Sequence, residues 1–320
     1  MSEKYNPPFT ITEDIANLVI EIAEMTTTID LTHNLSRNPK LRRENRIHSI
    51  HSSLAIEENL LTIEQVSDII DGKQVLGPPK DIREVQNAYG AYDKLAELNP
   101  YEVCDLLTAH RIMMQDLIKE VGVFRSLGAG VYSGQTLIHA GTPPQYVPKL
   151  VGELFEWLES SRLHPLIKSC IFHYEFEFIH PFSDGNGRTG RMWHTLILAK
   201  WKPFFFWLPI ESLIYRQQEK YYEAINISNN EGESTVFVNF MLGIIKQSLV
   251  ELTQRAEGSE STIKEKLLEL LKVESSLSAS KASEKLGVSE RQIQRLLKEM
   301  KDDGLIKRVG SNRFGRWIVL

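Results

Sequence analysis

The stretch His180-Pro-Phe-Ser-Asp-Gly-Asn-Gly-Arg-Thr-Gly-Arg191 leads into an apolar segment at Leu196-Ile-Leu198. Its three glycines fall within six residues and let the backbone turn tightly and approach a ligand closely. The apolar segment predicts a helix, and the first N–H groups of a helix have no partner within it. The positive end of the helix dipole lies at the same place, so the stretch predicts an anion site suited to phosphate.

The charged residues of this stretch indicate which chemistry the anion site serves. Arg188 and Arg191 are three residues apart and share a helix face, where two guanidinium groups suit a polyphosphate. Asp184 is the only acid and is expected to hold Mg²⁺ beside phosphates. His180 can accept a proton near neutral pH, as a hydroxyl attacking phosphorus requires. A glycine-rich turn alone could be structural, but this combination indicates phosphoryl or nucleotidyl transfer.

Composition places the chain among ordinary globular proteins. It has 320 residues, of which 42% are hydrophobic and 25% charged, and its formal net charge of -5 favours no class of partner. Neither an apolar run of ~18 residues nor a basic segment followed by an apolar one occurs, so we expect no membrane span, no secretion signal and a cytoplasmic location. The two cysteines, Cys104 and Cys170, lie in apolar helical patterns and are expected to be buried thiols.

The fold class predicted from periodicity is all-α with one small β-hairpin, followed by a C-terminal winged helix-turn-helix. The hairpin is expected between Gly128 and Pro144, and a polar linker at Ala256–Thr262. The expected domains are residues 1–100, 101–257 and 258–320. Residues 260–320 hold 13 Lys/Arg against 9 Asp/Glu, a net of +4, which leaves -9 for the remainder. The main predicted helices are 15–23, 41–59, 81–98, 102–118, 147–160, 165–178, 189–201, 219–228 and 235–257, then 263–271, 280–286 and 290–301.

His180 to Arg191 resembles the Fic family motif H-P-F-x-[DE]-G-N-G-R-x-x-R at every fixed position. The resemblance extends over about residues 10–250 and includes Gly122-Val-Phe-Arg125 and Ile138-His-Ala-Gly-Thr-Pro-Pro144. It implies an all-helical core with a β-hairpin flap. Because most Fic proteins are AMP transferases, it also implies transfer of AMP from ATP, with Mg²⁺, to a Ser, Thr or Tyr hydroxyl of a target protein.

The resemblance also implies a role for each motif residue. His180 would deprotonate the target hydroxyl, and Asp184 would hold Mg²⁺ on the α- and β-phosphates. The N–H groups of Gly185, Asn186 and Gly187 would form the anion hole, with the Asn186 side chain near the α-phosphate. Arg188 would steady the β-phosphate and Arg191 the γ-phosphate, while Phe182 anchors the loop. Further nucleotide-binding positions are expected at Thr189, Gly190, Ile138, His139, Ala140, Gly141, Tyr221, Tyr222 and Asn229.

A second motif implies regulation. Ser53 and Glu57 are four residues apart on the second predicted helix, and Ser53-Leu-Ala-Ile-Glu57 resembles the Fic inhibitory motif [ST]-x-x-x-E-[GN]. By this resemblance Glu57 would pair with Arg191 and displace the γ-phosphate. Glu58 stands where the family has Gly or Asn, so the sequence does not decide how sharply this helix ends. Glu58 also remains a second, less favoured candidate for the inhibitory acid.

Three alternatives remain open from the sequence. The basic arc of Arg291, Gln292, Arg295 and Lys298, with Arg313 and Arg316 in the wing, could bind DNA, or the winged helix could dock protein. The whole chain could therefore be a nucleotide-sensing DNA-binding regulator rather than an enzyme. As an enzyme it could transfer UMP, phosphate or phosphocholine, or remove AMP, and it could form a homodimer as many Fic proteins do.

Overall fold

A computed structural model describes residues 5–32, 39–128, 130–133, 136–140, 142–310 and 315–320. For residues 30–32, 130–133, 136–140 and 255–261 it describes the backbone alone. The chain divides into two compact units, Met1–Val250 and Glu251–Leu320. The finer division at residue 100 stays a prediction.

The first unit is helical apart from one hairpin. The antiparallel strands are β1 (Gly130–Ser133) and β2 (Thr136–Ala140), with an irregularity in register between Val131 and Tyr132. Short 3₁₀ helices lie at Leu95–Glu97, Pro144–Tyr146 and Pro203–Trp207. The α-helices that begin in this unit are α1 (Glu13–Thr32), α2 (Pro39–Ala55), α3 (Ile63–Ile70), α4 (Pro79–Lys94), α5 (Val103–Met114), α6 (Val147–Ser160), α7 (Pro165–Ile179), α8 (Asn186–Trp201), α9 (Ile210–Arg216), α10 (Gln218–Glu231) and α11 (Thr235–Val273).

Helices α7 and α8 form the centre of this unit and pack against each other. Both are buried around almost their whole circumference, as expected for a helix whose apolar residues follow no single face. Large aromatic side chains fill the space around them, and the fully buried ones include Phe172, Phe176, Phe182, Trp193, Phe205 and Phe237. The loop between α7 and α8 therefore joins the two most enclosed elements, which restricts its movement.

The second unit is a winged helix-turn-helix. Helix α12 (Ala279–Leu286) begins after the cap Ser278, and α13 (Glu290–Asp302) after the cap Ser289. Between them Gly287 adopts a left-handed conformation (φ 66°), which ends α12. Strands β3 (Ile306–Val309) and β4 (Arg316–Val319) pair antiparallel. Leu267, Leu271, Leu277, Ile293, Leu296, Met300 and Trp317 are among the residues of its core. The predicted fold class is confirmed for both parts of the chain.

Three local predictions were wrong. The proposed linker at 256–262 lies inside α11, because helix formation is cooperative and the long helical segments on both sides carry it through polar residues. The predicted helix 41–59 ends at Ala55, so Glu57 lies in the turn that follows. Cys104 is exposed, since it lies near the start of α5 on the face opposite the buried Leu106 and Ala109; Cys170 is buried as expected.

Helix α11 has one stretch that bears on the expectation of no membrane span. Among the described residues, Thr235–Gln254 is long and apolar enough to cross a membrane by length and composition, and half of its apolar window is buried inside the protein. Its buried residues include Phe237, Met241 and Leu242. A core helix meets the same criterion, so the expectation stays a prediction.

Candidate active site

The start of α8 is built to receive an anion. Its cap residue Gly185 has a left-handed backbone (φ 81°) and provides no side-chain cap. The first hydrogen bond of the helix runs from Thr189 N to Gly185 O at 3.0 Å, so the N–H groups that precede Thr189 point out of the helix end. A Cβ at Gly185 would lie 2.5 Å from Met114 Sδ, and one at Gly187 2.4 Å from Glu57 Oε1. Gly185 therefore requires glycine because of its left-handed backbone, whereas a side chain at Gly187 would displace the ends of the Glu57 and Arg191 side chains.

Asn186 and Phe182 hold the loop in shape. The Asn186 side chain accepts a hydrogen bond from Phe182 N at 2.8 Å and donates one to Phe182 O at 2.9 Å. Because both ends of the carboxamide are used in this way, we assign this side chain to closing the loop, and its expected position near an α-phosphate stays a prediction. Phe182 is fully buried, in accord with an anchoring role.

His110 supports the same loop from α5. Its ring stacks on Phe182 with 3.7 Å between centroids, and Nδ1 accepts a hydrogen bond from Gly122 N at 3.0 Å. Since Nδ1 is the acceptor, Nε2 carries the hydrogen and donates to Asp184 O, also at 3.0 Å. Burial lowers the pKa of His110 to about 4, so the ring is neutral and keeps this arrangement at physiological pH.

His180 ends α7 in a left-handed conformation (φ 53°), which is uncommon for a residue with a side chain. Its N–H still bonds Phe176 O at 3.0 Å, while its carbonyl accepts from Arg125 Nε at 2.7 Å. Strained backbone of this kind persists where surrounding contacts enforce it and is common at functional sites. Here the surrounding contacts come from α7 and from Arg125.

Arg125 joins the loop to the base of the hairpin. Its backbone N–H bonds Pro181 O at 3.0 Å, and its Nη1 donates to Leu127 O at 2.8 Å on the way into β1. Its Nη2 donates to Thr142 O, beyond β2. One guanidinium therefore bonds the residue that carries the imidazole and the segments on both sides of the hairpin.

Arg191 lies one turn into α8 and is held by the segment around the end of α2. Its Nη2 donates to Glu57 Oε1 at 2.8 Å and to Ser53 O at 2.9 Å, and its Nε donates to Ser53 Oγ at 3.2 Å. The Arg191 side chain is 1% exposed and that of Glu57 32%, so the pair is screened from solvent on one side. Ser53 and Glu57 thus contact the same guanidinium.

The end of α2 positions Glu57. Asn59 N bonds Leu54 O and Glu58 N bonds Ala55 O, both at 3.1 Å, which is the hydrogen-bond pattern of a Schellman motif. Glu58 occupies its left-handed position (φ 65°), where glycine or asparagine is usual. The helix therefore ends sharply although Glu58 replaces the family's Gly or Asn.

Arg188 makes two ion pairs, one buried with Glu84 and one partly exposed with Asp184. Its Nη1 bonds Glu84 Oε1 at 3.0 Å, and its Nη2 bonds Asp184 Oδ1 at 2.9 Å. Glu84, on α4, also accepts from Asn59 Nδ2 at 2.8 Å through Oε2. Asn59, which follows Glu57 and Glu58 in this turn, is therefore connected to Arg188 through Glu84, a residue that the sequence did not single out.

One pocket brings together seven of the predicted site residues, Glu57, His180, Gly187, Arg191, Tyr221, Tyr222 and Asn229. Its lining residues are Glu57, Glu177, Phe178, His180, Gly187, Arg191, Tyr221, Tyr222, Ile225, Asn226 and Asn229. Helix α10 forms one wall: Tyr221 is buried and hydrogen-bonded to His173 Nε2 at 3.1 Å, and Asn229 Oδ1 accepts from Tyr174 Oη at 3.0 Å. Tyr222 is 36% exposed, so it is not a core residue.

Other predicted residues do not line this pocket. Thr189 is buried in α8, and a Cβ on Gly190 would lie 2.7 Å from Glu177 Oε1 and 3.0 Å from Phe176, which indicates that Gly190 serves the packing of α8 on α7. Ile138, His139 and Ala140 lie in β2 with their side chains undescribed, and Gly141 lies outside the described residues. Arg313 lies outside them as well.

Comparison with known proteins establishes the family. The sequence profile of the Fic/DOC family matches residues 100–198, and that of the winged helix-turn-helix DNA-binding family matches residues 260–307. The crystal structure of a Fic family protein from Desulfovibrio desulfuricans G20 has a TM-score of 0.77 and 40% sequence identity, and the match covers 99% of this chain and 98% of that one. The chain belongs to the Fic family.

Curated relatives of this Fic chain include two proteins named protein adenylyltransferase fic-1. The one from Caenorhabditis briggsae is 29% identical over 216 residues, which cover 63% of this chain and 40% of the relative. The one from Caenorhabditis elegans is 28% identical over 243 residues, which cover 72% and 44%. The Fic chain thus spans less than half the length of these relatives.

Asp184 is the Fic motif residue whose surroundings fit a metal ion. Its side chain is 47% exposed and lies beside the start of α8. Both of its hydrogen bonds with described residues, from Gly185 N and Arg188 Nη2, use Oδ1. Oδ2 is therefore available, and a single carboxylate oxygen is the kind of ligand that Mg²⁺ takes beside phosphate oxygens.

Proposed function

We propose that this Fic chain is a protein adenylyltransferase, which moves AMP from ATP to a Ser, Thr or Tyr hydroxyl of a target protein. The observation that carries the proposal is that His180, Gly187 and Arg191 line one pocket at the start of α8. His180, the proposed base, would then stand next to a helix end that favours phosphate. The relatives named protein adenylyltransferase support AMP as the transferred group.

In the proposed reaction the hydroxyl oxygen of the target bonds to the α-phosphorus of ATP. The bond from that phosphorus to the bridging oxygen breaks, and pyrophosphate leaves. His180 takes the hydroxyl proton. The N–H groups at the start of α8 bind the charge that develops on the α-phosphate, and such fixed donors are among the strongest contributors to catalysis.

Asp184 would hold Mg²⁺, which supplies positive charge to the phosphate oxygens when bound. Arg188 Nη2, which bonds Asp184 in this structure, is the donor that a β-phosphate oxygen would take over. Glu84 keeps the opposite side of that guanidinium fixed through Nη1. Arg188 would therefore change one partner on substrate binding while keeping the other.

Inhibition by Glu57 is part of the proposal. The Glu57 carboxylate, 2.8 Å from Arg191 Nη2, uses the guanidinium that a γ-phosphate would need. Ser53 fixes Arg191 from the same segment through its hydroxyl and its carbonyl. With Glu57 in place the triphosphate cannot reach Arg191, and the α-phosphorus is not aligned with the target hydroxyl. Glu58 is a poorer candidate, since its side chain is exposed and the hydrogen bonds of Arg191 with described residues go to Ser53 and Glu57.

The target would bind at the hairpin. A two-stranded sheet leaves an edge open, and an extended segment of the target can pair with it by strand addition. Arg125 holds the hairpin to the carbonyl of His180, so a hydroxyl presented by such a segment would arrive near the base. The cytoplasmic location and a homodimer remain predictions.

Two labels on ATP test the proposal. With α-labelled ATP and a mixture of candidate proteins, the chain should transfer label to protein, and with γ-labelled ATP it should transfer none. His180→Ala should lower the transfer rate by about 100-fold or more, which is the usual contribution of a positioned base, and should change the Kd for ATP by less than about threefold. Transfer of the γ label would identify a kinase instead, and unchanged transfer by His180→Ala would reject the base.

A second candidate function, DNA binding, is favoured by the match of residues 260–307 to a DNA-binding family. Helix α13 exposes Arg291, Arg295 and Lys298 on one side and buries Ile293, Leu296 and Met300 on the other. If this helix binds duplex DNA, raising the salt concentration should weaken binding with a steep logarithmic slope, and Arg291→Ala should lower the slope by about 1. Filter binding measures both. Lys272→Ala, outside α13, is the control, and a flat salt dependence would favour docking to protein.

A further inference from the structure

Glu177 is a buried acid in the candidate pocket to which the proposed mechanism gives no task. It lies on α7, one turn before His180, and its side chain is 13% exposed. Its Oε1 is buried without a hydrogen-bond partner among the described residues. The nearest basic atom is His173 Nε2 at 3.8 Å, which is too long for a hydrogen bond. This oxygen faces Gly190 of α8, and it is the rest of the partly exposed carboxyl that lines the pocket and can meet a ligand.

The charges around Glu177 decide its protonation state. Burial raises its pKa to about 8; Arg191 opposes this rise and Glu57 adds to it. His173, on the same helix, has its pKa lowered by burial and is neutral. The groups that face Glu177 from the packed elements are His173 and His180 on α7, Arg191 on α8, Glu57 after α2, and Tyr221 and Tyr222 on α10. Glu177 is therefore mostly protonated at neutral pH.

A protonated carboxyl is a hydrogen-bond donor, whereas a carboxylate only accepts. Glu177 lines the pocket together with Glu57 and Arg191, which are bonded to each other and whose charges both act on Glu177. An anion that replaces Glu57 there brings acceptor oxygens only. A protonated Glu177 can donate to one of these oxygens, and an ionised Glu177 would repel them.

We propose that Glu177 is a nucleotide-binding residue whose protonated carboxyl donates a hydrogen bond to the terminal phosphate that replaces Glu57 at Arg191. This role rests on the proposed function. It explains why an acid can stand beside a triphosphate site. It also makes the affinity for ATP depend on one proton.

The test measures ATP and AMP affinity by calorimetry between pH 7.5 and 9.5, above the range in which the phosphates titrate. The parent is the full chain carrying Glu57→Gly, in which Arg191 is available. Glu177→Gln in this background keeps the shape and a permanent N–H donor, while Glu177→Leu removes the donor. The parent should lose at least about tenfold in ATP affinity across this range as the donor is deprotonated.

Glu177→Gln should bind ATP with an affinity that varies less than about twofold over the same range, because its donor does not titrate. Glu177→Leu should bind ATP weakly at every pH, and all three proteins should bind AMP alike, since AMP lacks the terminal phosphates. Equal ATP affinity and equal pH dependence in the three proteins would overturn the role of Glu177 while leaving the proposed function standing. An equal loss for AMP would also overturn it, because Glu177 would then contact the nucleoside. A parent that binds no ATP would reject the proposed function itself.

Discussion

Arg191 illustrates at the scale of single residues how a contact can limit activity. Glu57 and Ser53 supply every hydrogen bond that described residues make to its Nε and Nη2. A hydrogen bond between two charged groups is worth roughly 1.5–3 kcal/mol. A nucleotide that needs this guanidinium must first replace the carboxylate, and pays that free energy in lost affinity or in a misaligned pose.

Removing the carboxylate should therefore activate the chain. We expect Glu57→Gly to raise the rate of label transfer from α-labelled ATP by about 10- to 100-fold, the factor that corresponds to one such hydrogen bond. Automodification measured over time in matched preparations provides the rate. Glu58→Ala is the control, since Glu58 makes no contact with Arg191 among the described residues. Equal rates for wild type and Glu57→Gly would contradict inhibition by Glu57.

The residues within the motif loop could be predicted from the sequence, because their functions depend on neighbours a few positions away. His110, Glu84 and Arg125 could not. They contact the loop from positions 74, 104 and 55 residues away along the chain. Nothing in the local sequence distinguishes His110 or Glu84, and the resemblance at Gly122–Arg125 does not show that Arg125 bonds His180. The contacts of the Asn186 side chain could not be predicted either. Only the folded loop shows that both ends of its carboxamide are bonded to the backbone of Phe182.

At the scale of elements, α2 ends sharply although the left-handed position of its last turn is occupied by Glu58 and not by glycine. The Schellman hydrogen bonds from Glu58 and Asn59 fix the direction in which Glu57 leaves the helix. To make these hydrogen bonds Glu58 adopts a left-handed backbone, which costs a residue other than glycine roughly 1 kcal/mol. The turn that carries Glu57 is thus held in place by its hydrogen bonds rather than by the conformational preference of Glu58.

Glu58→Gly should stabilise the chain by about 0.5–1 kcal/mol, because glycine adopts the left-handed conformation without the steric cost. The free energy of unfolding from urea titration measures the gain. Glu58→Ala is the matched control: it also removes the charge but keeps a Cβ, and should gain nothing. A gain in both variants would show that the charge of Glu58, and not its backbone, causes the effect.

Helix α11 shows why element boundaries are hard to predict from sequence. Its polar residues 256–262 read as a linker when judged by composition alone. Ala256, Glu257 and Glu260 favour a helix, and even Gly258 costs it only about 1 kcal/mol. The segments on both sides provide a nucleus from which the helix continues. The winged helix was predicted correctly because its serine caps, Ser278 and Ser289, and its turn residue Gly287 are strong local signals.

At the scale of the whole molecule, buried histidines and buried acids affect stability in opposite directions. Burial lowers the pKa of His110 and of His194 to about 4, so the unfolded chain binds protons there between pH 6.5 and 4 while the folded chain does not. That part of the stability is present above pH 6.5 and is lost as the pH falls. Burial raises the pKa of Glu177 to about 8, so its effect runs the other way between pH 4.5 and 8.

A difference between two proteins isolates one of these groups. His110→Phe keeps an aromatic ring against Phe182 and removes one titrating site. As the pH falls from 6.5 to 4, the free energy of unfolding of wild type should decrease relative to that of His110→Phe by about 1.4 kcal/mol per pH unit. Denaturant titrations at several pH values measure this difference. A constant difference would mean that His110 titrates alike in both states.

The contacts of Arg125 have a consequence for which hydroxyl of a bound target segment would be modified under the proposed function. The Arg125 guanidinium bonds the segments on both sides of the hairpin and the carbonyl of His180. The hairpin edge and the residue that carries the imidazole are therefore held in a fixed relative position. If a target segment pairs with that edge as proposed, the position of each of its residues along the strand sets the distance of that residue from the His180 imidazole. The choice of acceptor would thus follow from its distance along the bound segment more than from the identity of its side chain, and serine, threonine or tyrosine could each serve at the permitted position.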